Sequence, residues 1–142
     1  MAKCLIVIVE KGKGERNFSC FATENIGKCA LLGYGGSARE AMEDIKVSAQ
    51  ECKALAEERG EEWPELEYSF IFDIGSFFDY FPINISAFAK YIGMNPSQLR
   101  QYASAAKEPR QATIDKIREG MKAFLNDIVP LPMIERPTVA YV

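Results

Sequence analysis

The stretch Ile85-Ser-Ala-Phe-Ala-Lys-Tyr-Ile-Gly-Met-Asn-Pro-Ser-Gln-Leu-Arg-Gln-Tyr-Ala-Ser104 predicts two short helices joined by a tight turn. Gly93 can adopt the left-handed backbone conformation that such a turn needs, because it has no Cβ. Asn95 can cap the second helix, and Pro96 then occupies its first position, where a missing N–H loses no helical bond. Apolar residues fall at helical spacing inside the angle between the helices: Phe88, Ile92, Leu99 and Tyr102.

The second of these helices, Pro96–Ser104, leaves only hydrogen-bonding side chains on its outer face. Such side chains suit the edges of bases and the phosphates of nucleic acids. Arg100 can make two hydrogen bonds to a guanine edge, and Gln101 can do the same at an adenine. The cations that follow the helix are better placed for phosphates. The predicted DNA-binding residues are Asn95, Ser97, Gln98, Arg100, Gln101, Ser104, Lys107 and Arg110.

The spacing of three residues supports this interpretation. A small residue at Ala89, a glycine at Gly93 and an aliphatic residue at Leu99 resemble the helix-turn-helix signature of the repressor families. The resemblance implies that the second helix lies in the major groove of double-stranded DNA. The alternative is an ordinary pair of packed helices that makes no DNA contact.

Length and composition limit the classes of protein to which this chain can belong. The chain has 142 residues, of which 48% are apolar, which allows one domain of ordinary size or two small ones. No apolar run approaches the roughly 18 residues of a membrane span. The apolar run Leu5–Val9 is too short for a signal peptide, so we expect a cytoplasmic protein.

The reactive side chains argue against an enzyme. The sequence has no histidine, which excludes Ser-His, Cys-His and His-metal mechanisms, and no pair of carboxylates suggests acid–base catalysis. No Cys-x-x-Cys pair is present, so we expect no metal site and no cofactor. The four cysteines are expected to be small buried hydrophobes: Cys4, Cys20, Cys29 and Cys52. We therefore expect no catalytic residues and no enzymatic activity.

Charge is distributed unevenly along the chain. Residues 1–82 carry 9 Lys and Arg against 15 Asp and Glu, a net charge of −6, whereas residues 83–128 carry 7 against 4, a net charge of +3. A weakly basic segment next to an acidic one indicates nucleic acid as the partner of the second and a basic protein as the partner of the first.

The first half of the chain predicts a small sheet with one helix packed across it. Strands are expected at Leu5–Val9, Asn17–Thr23, Cys29–Tyr34 and Tyr68–Ile74. The first is a continuous aliphatic run, which indicates burial on both faces. A long amphipathic helix begins after Ser37 and ends before Gly60, giving the order β-β-β-α-β.

The loop before this helix, Gly33-Tyr-Gly-Gly-Ser-Ala38, matches the pattern G-x-G-x-x-A. Such a loop can bind phosphates at a helix N-terminus and would indicate a nucleotide-using enzyme. The preceding strands form hairpins rather than a parallel βαβ unit, which argues against that function. Turn glycines and a capping box of Ser37 and Glu40 explain the segment without a ligand.

The second half of the chain predicts helices. Ser76–Phe81 is expected to be a short aromatic helix, and Gln111–Ile128 a long one with an apolar seam. That seam either closes the core of its own domain or pairs with a second copy. The predicted domains are residues 1–74, 75–128 and an extended tail at 129–142.

Five segments resemble a known family. Leu5–Lys11, Phe18–Ala22 and Gly36–Ala41, with the acidic helix that follows, resemble the HicB-type antitoxins. Phe77–Tyr80 followed by Ile85–Lys107 resembles the Cro/repressor-type helix-turn-helix of HicB-like proteins. The resemblance implies an α+β chain in which a shortened RNase H-like β-β-β-α-β domain precedes an all-α helix-turn-helix domain.

The resemblance also implies a function. HicB-type antitoxins bind a small basic HicA-type toxin that cleaves mRNA, repress their own operon and assemble as homodimers or higher oligomers. The family's usual proline/glycine run after the second strand is reduced here to Asn25–Lys28. The alternative is therefore an orphan transcriptional regulator, or a protein-interaction module, without a toxin partner.

Overall fold

A computed structural model describes residues 2–12 and 16–130 and has an α+β fold with a four-stranded mixed sheet and five helices. The strands are β1 (Lys3–Lys11), β2 (Phe18–Ala22), β3 (Leu32–Gly35) and β4 (Leu66–Phe72). The helices are α1 (Ala38–Glu58), α2 (Ile74–Tyr80), α3 (Ile85–Ile92), α4 (Pro96–Ala103) and α5 (Gln111–Ile128). From position 131 onward, the predicted tail lies outside the described residues.

The sheet has the strand order β3-β2-β1-β4. β2 pairs antiparallel with both β1 and β3, whereas β4 runs parallel to β1. In this register, Val9 of β1 lies beside Cys20 of β2 on one side and Phe72 of β4 on the other. A parallel neighbour requires a crossover, and α1 supplies it. The predicted order β-β-β-α-β, with one helix packed across the sheet, is confirmed.

The core lies between α1 and one face of the sheet. Its buried side chains alternate along the strands and recur at helical spacing along α1. They include Leu5, Val7, Val9, Phe18, Cys20, Leu31, Ala41, Met42, Ile45 and Ala49. Gly33 lets β3 lie close to the backbone of α1, because a Cβ there would be 2.5 Å from the Ala41 carbonyl oxygen.

The opposite face of the sheet is open among the described residues. Ile6 is 41% exposed and Ile71 is 49% exposed, so the prediction that β1 is buried on both faces is wrong. The pairing register places four apolar side chains in one row across all four strands. We call this row the open-face stripe, and it consists of Leu32, Phe21, Ile8 and Ile71.

All four strands differ from their predicted bounds, and the differences at the start of β3 and the end of β4 have an identifiable cause. β3 begins at Leu32, because Cys29 forms only an isolated bridge with Ile26. β4 ends at Phe72, because the Asp73 side chain caps a helix by accepting a hydrogen bond from the Ser76 N–H at 2.8 Å. Ile74, predicted to be the last residue of this strand, therefore begins α2 instead.

The backbone contacts divide the chain into two compact units, Met1–Glu108 and Pro109–Val142. Helices α2, α3 and α4 thus belong to the same unit as the sheet, and α5 belongs to the other. The predicted functional division at position 74 stays a prediction. The predicted seam of α5 consists of Ile114, Ile117, Met121, Phe124 and Ile128. The first four are buried or half-buried, as predicted, whereas Ile128 is 45% exposed at the end of the helix, contrary to the prediction.

Candidate nucleic-acid interface

The turn between α3 and α4 has the predicted geometry. Gly93 adopts the left-handed conformation with φ 75°, and the Met94 N–H donates to the Ala89 carbonyl at 2.8 Å. The Asn95 Oδ1 accepts hydrogen bonds from the N–H groups of Ser97 at 2.8 Å and Gln98 at 3.3 Å. The start of α4 is therefore fixed by local side-chain bonds.

Three buried side chains hold the two helices at their crossing: Phe88, Ala89 and Leu99. The Phe88 ring lies 5.8 Å from that of Phe78, which connects α3 to α2. The prediction that Leu99 faces the core is confirmed, whereas Tyr102 is only half-buried. The short aromatic helix, predicted at Ser76–Phe81, begins two residues earlier and ends at Tyr80, and the Phe81 side chain just beyond it is 37% exposed.

The outer side of α4 presents the predicted hydrogen-bonding side chains to solvent. Gln101 is half-exposed, and the other seven predicted DNA-binding residues are exposed: Asn95, Ser97, Gln98, Arg100, Ser104, Lys107 and Arg110. The structure brings those from Asn95 to Ser104 together on one helix and its caps. Arg110 lies apart from them in the chain, at the start of the second compact unit.

Arg100 is held in place by a residue that the sequence analysis missed. Its Nη1 donates a hydrogen bond of 2.6 Å to the Ser86 Oγ on α3. A guanidinium has five N–H donors, so this bond leaves others for a ligand while limiting the side chain's freedom. No sequence pattern marks Ser86, because its contact with Arg100 depends on how the two helices cross.

Other predicted residues are engaged locally. The Gln98 Nε2 donates to the Tyr102 hydroxyl at 3.0 Å, and the Ser104 Oγ donates to the Gln101 carbonyl at 3.2 Å. The side-chain oxygen of Asn95, Oδ1, caps the helix. Arg100, within α4, and Lys107, beyond its C-terminal end, are thus the exposed cations of this surface.

The chain turns sharply after α4. Ala105 has φ 62°, which is a left-handed conformation that costs an L-residue about 1–2 kcal/mol. The N–H groups of Ala105 and Ala106 donate to the carbonyls of Tyr102 at 3.1 Å and Gln101 at 3.0 Å, which ends the helix. The turn directs the backbone from the end of α4 toward Lys107.

The glycine loop before α1 is already filled by side chains of the protein. The Gly36 N–H donates to Glu40 Oε2 at 2.8 Å, and the Ala38 N–H donates to Asp79 Oδ2 at 2.8 Å. Because carboxylates occupy the N–H groups that would bind a phosphate, the loop is explained by capping, as the sequence indicated. The Ser37 Oγ completes the cap by accepting from the Glu40 N–H at 3.1 Å.

Two of the four thiols, those of Cys20 and Cys52, are poor nucleophiles. Burial raises the pKa of Cys20 to about 11, with a smaller contribution from the charge of Asp44. Burial and a hydrogen bond with Cys29 raise the pKa of Cys52 to about 11. These thiols are therefore protonated near neutral pH. Cys4 is exposed, so the expectation that every cysteine is buried is wrong.

Within the part of the chain that the structure describes, no group of three or more His, Cys, Asp or Glu side chains could hold a metal ion. No helix there is long and apolar enough to cross a bilayer. No family model, curated protein or solved structure matches this chain.

Proposed function

We propose that this protein is a DNA-binding transcriptional repressor that serves as the antitoxin of a toxin–antitoxin operon. The observation that carries the DNA-binding part is the exposed α4 helix, which is capped by Asn95 and carries Arg100 oriented by Ser86. A short helix with polar side chains on its outer side, braced by a second helix across a tight turn, suits insertion into the major groove. The local charge of +3 over residues 83–128 favours a polyanion.

Within this proposal, two cations have different roles. Arg100 points from the middle of α4, where two parallel N–H groups can contact the edge of a guanine. Lys107 follows the left-handed turn at Ala105, where its ammonium can contact a phosphate. The first contact discriminates between base pairs, and the second strengthens binding to any sequence.

The DNA-binding proposal is tested with the protein's own promoter and a scrambled duplex of equal length. Arg100→Ala should weaken binding to the promoter by roughly 5- to 150-fold, which corresponds to about 1–3 kcal/mol, with little effect on the scrambled duplex. Lys107→Ala should weaken binding to both duplexes alike and reduce the salt dependence by about one charge. The measurement is fluorescence anisotropy over a range of salt concentrations.

The matched control is Lys53→Ala, which removes an exposed cation from α1, far along the chain from α4. It should leave both affinities unchanged. If Arg100→Ala binds both duplexes as the wild type does, α4 does not contact bases. The ordinary pair of packed helices would then be the better interpretation.

The antitoxin part of the proposal concerns the open-face stripe. It presents apolar side chains on a unit whose first 82 residues carry a net charge of −6. Glu10 and Glu67 lie on the same face of the sheet. An apolar stripe with acidic neighbours favours a basic protein partner over a nucleic acid. The proposed occupant is a small basic toxin of the HicA type.

The partner is tested with the product of a neighbouring reading frame that encodes a short basic protein. Leu32→Lys should weaken that complex at least tenfold and restore toxicity on co-expression, because it places a cation in the stripe. Val47→Lys on α1 is the matched control, since Val47 is 53% exposed and Leu32 is 47% exposed. Equal binding by both variants would remove the stripe from the interface and favour an orphan regulator.

A further inference from the structure

The two edges of the sheet differ in whether they are closed. At the β3 edge, the Tyr34 N–H donates to Asp44 Oδ2 at 2.9 Å and the Gly36 N–H donates to Glu40 Oε2 at 2.8 Å. β3 is only four residues long and lies beneath α1. Side chains of the helix therefore occupy the backbone groups that another strand would need.

The β4 edge is open among the described residues. The Lys3 N–H donates to the Glu65 carbonyl at 2.7 Å, and the Asp73 N–H donates to the Val9 carbonyl at 3.0 Å. The backbone N–H and C=O groups of the odd-numbered residues of this segment therefore point toward β1. In a parallel pair, the backbone groups of the alternate residues point to the opposite side of the strand. The backbone groups that point away from β1 are those of Leu66, Tyr68, Phe70 and Phe72. β4 is last in the strand order, and no described strand pairs with its outer side.

β4 also lacks the features that usually protect an edge strand. It is seven residues long, contains no proline or lysine, and keeps an unbroken register with β1. Protected edges are short, charged, bulged or covered. An open edge of this length and composition is a template for pairing with another strand.

The side chains along this edge are only half covered. α1 packs mainly on β3 and β2, which leaves Tyr68, Phe70 and Phe72 half-buried. A cavity of about 190 Å³ lies between α1 and the beginning of β4, lined in part by Leu66 and Tyr68. A strand added at this edge would cover the aromatic row as well as the backbone.

We propose that β4 pairs antiparallel with β4 of a second copy, so that the two sheets become one continuous sheet across a two-fold axis. A two-fold axis makes identical strands antiparallel. Only the register centred on Ser69 pairs β4 along its full length. In that register the outward-pointing residues exchange about eight backbone hydrogen bonds.

The charges of β4 agree with this register. Glu67 is the only charged residue between Leu66 and Phe72, and it lies opposite Ile71 of the second copy rather than opposite its own counterpart. On the other face of the strand, aromatic or aliphatic side chains lie opposite each other throughout: Tyr68 with Phe70, and Leu66 with Phe72. Pairs of this kind stabilise antiparallel strands, whereas opposed like charges destabilise them.

This inference does not depend on the proposed DNA-binding or antitoxin function, because it concerns the free protein. It is tested by sedimentation equilibrium of the full chain without DNA. Ile71→Glu places two carboxylates opposite each other at both symmetric positions and should weaken the dimer roughly tenfold. Ile71→Lys places a cation opposite Glu67 and should leave the dimer intact or tighter. Ile71 is 49% exposed, so both variants should fold.

The double variant Glu67→Lys with Ile71→Glu should restore the association that Ile71→Glu loses. Ile6→Glu is the matched control, because Ile6 lies on the same face but on β1, away from the edge. Concentration-dependent protection of the N–H groups of Tyr68 and Phe70 in hydrogen exchange would support edge pairing independently of any variant.

Three results would overturn the inference. The first is a wild-type protein that stays monomeric at 100 μM and shows no such protection. The second is equal weakening by Ile71→Glu and Ile6→Glu, which would indicate stacking of the open faces. The third is a dimer that Ile71→Glu leaves unchanged, which would place the interface on another surface such as α5.

Discussion

Gly33→Ala is expected to lower the free energy of unfolding by about 3 kcal/mol or more and the melting temperature by roughly 10 °C. A Cβ at Gly33 would lie 2.5 Å from the Ala41 carbonyl oxygen and 2.5 Å from the Ile45 backbone nitrogen. Both atoms belong to the backbone of α1, which cannot rotate away as a side chain can. The helix would have to move off β3, and the layer that buries Ile45 would open.

Two opposing contributions to the free energy of unfolding decide whether Gly33→Ala stabilises or destabilises the protein. Replacing glycine by alanine reduces the entropy of the unfolded chain and, where the site tolerates a Cβ, stabilises by about 0.4–1 kcal/mol. Overpacking against a backbone costs about 1–3 kcal/mol and sometimes more. The contacts at Gly33 are well below ordinary van der Waals distance, so the second term exceeds the first.

Gly36→Ala is the matched control, three residues further along the same segment. Its Cβ would meet only the Glu40 Oε2 at 3.3 Å, which is the end of a flexible side chain. We expect its stability to stay within about 1 kcal/mol of the wild type. Urea unfolding of both variants would be measured by circular dichroism. Equal midpoints for Gly33→Ala and the wild type would mean that α1 does not lie against β3 as closely as described.

The helices around the candidate site could be predicted because their signals are local. Gly93, Asn95 and Pro96 act within one turn of their own position, and the observed helices Ile85–Ile92 and Pro96–Ala103 begin where the caps indicated. The bounds of α5 were likewise predicted from its apolar spacing. Capping and helical periodicity need no information from distant residues.

The burial of the strands could not be predicted in the same way. Leu5–Val9 is continuously apolar, yet Ile6 is exposed because no described element covers its side of the sheet. A run of aliphatic residues indicates a strand but cannot show how many layers pack on it. The open edge of β4 is also a tertiary property, since it depends on which strands become its neighbours.

The candidate site was predicted as a set of residues but not as a geometry. The exposure of Arg100 follows from its helical spacing relative to Leu99. Its bond to Ser86 does not follow from spacing, since the two residues lie 14 positions apart on different helices. The interactions that orient a side chain are therefore the part that the sequence alone could not supply.

The junction between the sheet and α2 leads to the second large effect, which is expected for Asp73→Ala. One oxygen of the Asp73 carboxylate accepts from the Ser76 N–H at 2.8 Å and the Ser76 Oγ at 2.7 Å. The other accepts from the Lys11 N–H at 3.1 Å. The Ser76 hydroxyl is fully buried and also lies 2.7 Å from the Val9 carbonyl. One side chain thus connects the end of β1 to the first turn of α2.

Removing that side chain should lower the free energy of unfolding by about 2–3 kcal/mol. The loss of a helix cap accounts for about 1 kcal/mol, and leaving the part-buried Lys11 N–H without its acceptor accounts for about 1–2 kcal/mol more. Asp73→Asn should lose roughly half as much, because an amide oxygen can still cap the helix but cannot also accept from Lys11. Urea unfolding at neutral pH measures both variants.

Glu43→Ala is the matched control for this series, since it removes an exposed carboxylate from α1 and should stay within about 0.5 kcal/mol of the wild type. The order Asp73→Ala, then Asp73→Asn, then wild type in rising stability is the expected result. If the two Asp73 variants are equally stable, the cap that asparagine retains contributes nothing. If Asp73→Asn matches the wild type, the Lys11 bond contributes nothing. If both match the wild type, the Asp73 side chain does not attach α2 to the sheet. The bond between the Ser76 hydroxyl and the Val9 carbonyl and the aromatic contacts of Phe72 and Phe78 would then hold α2 in place.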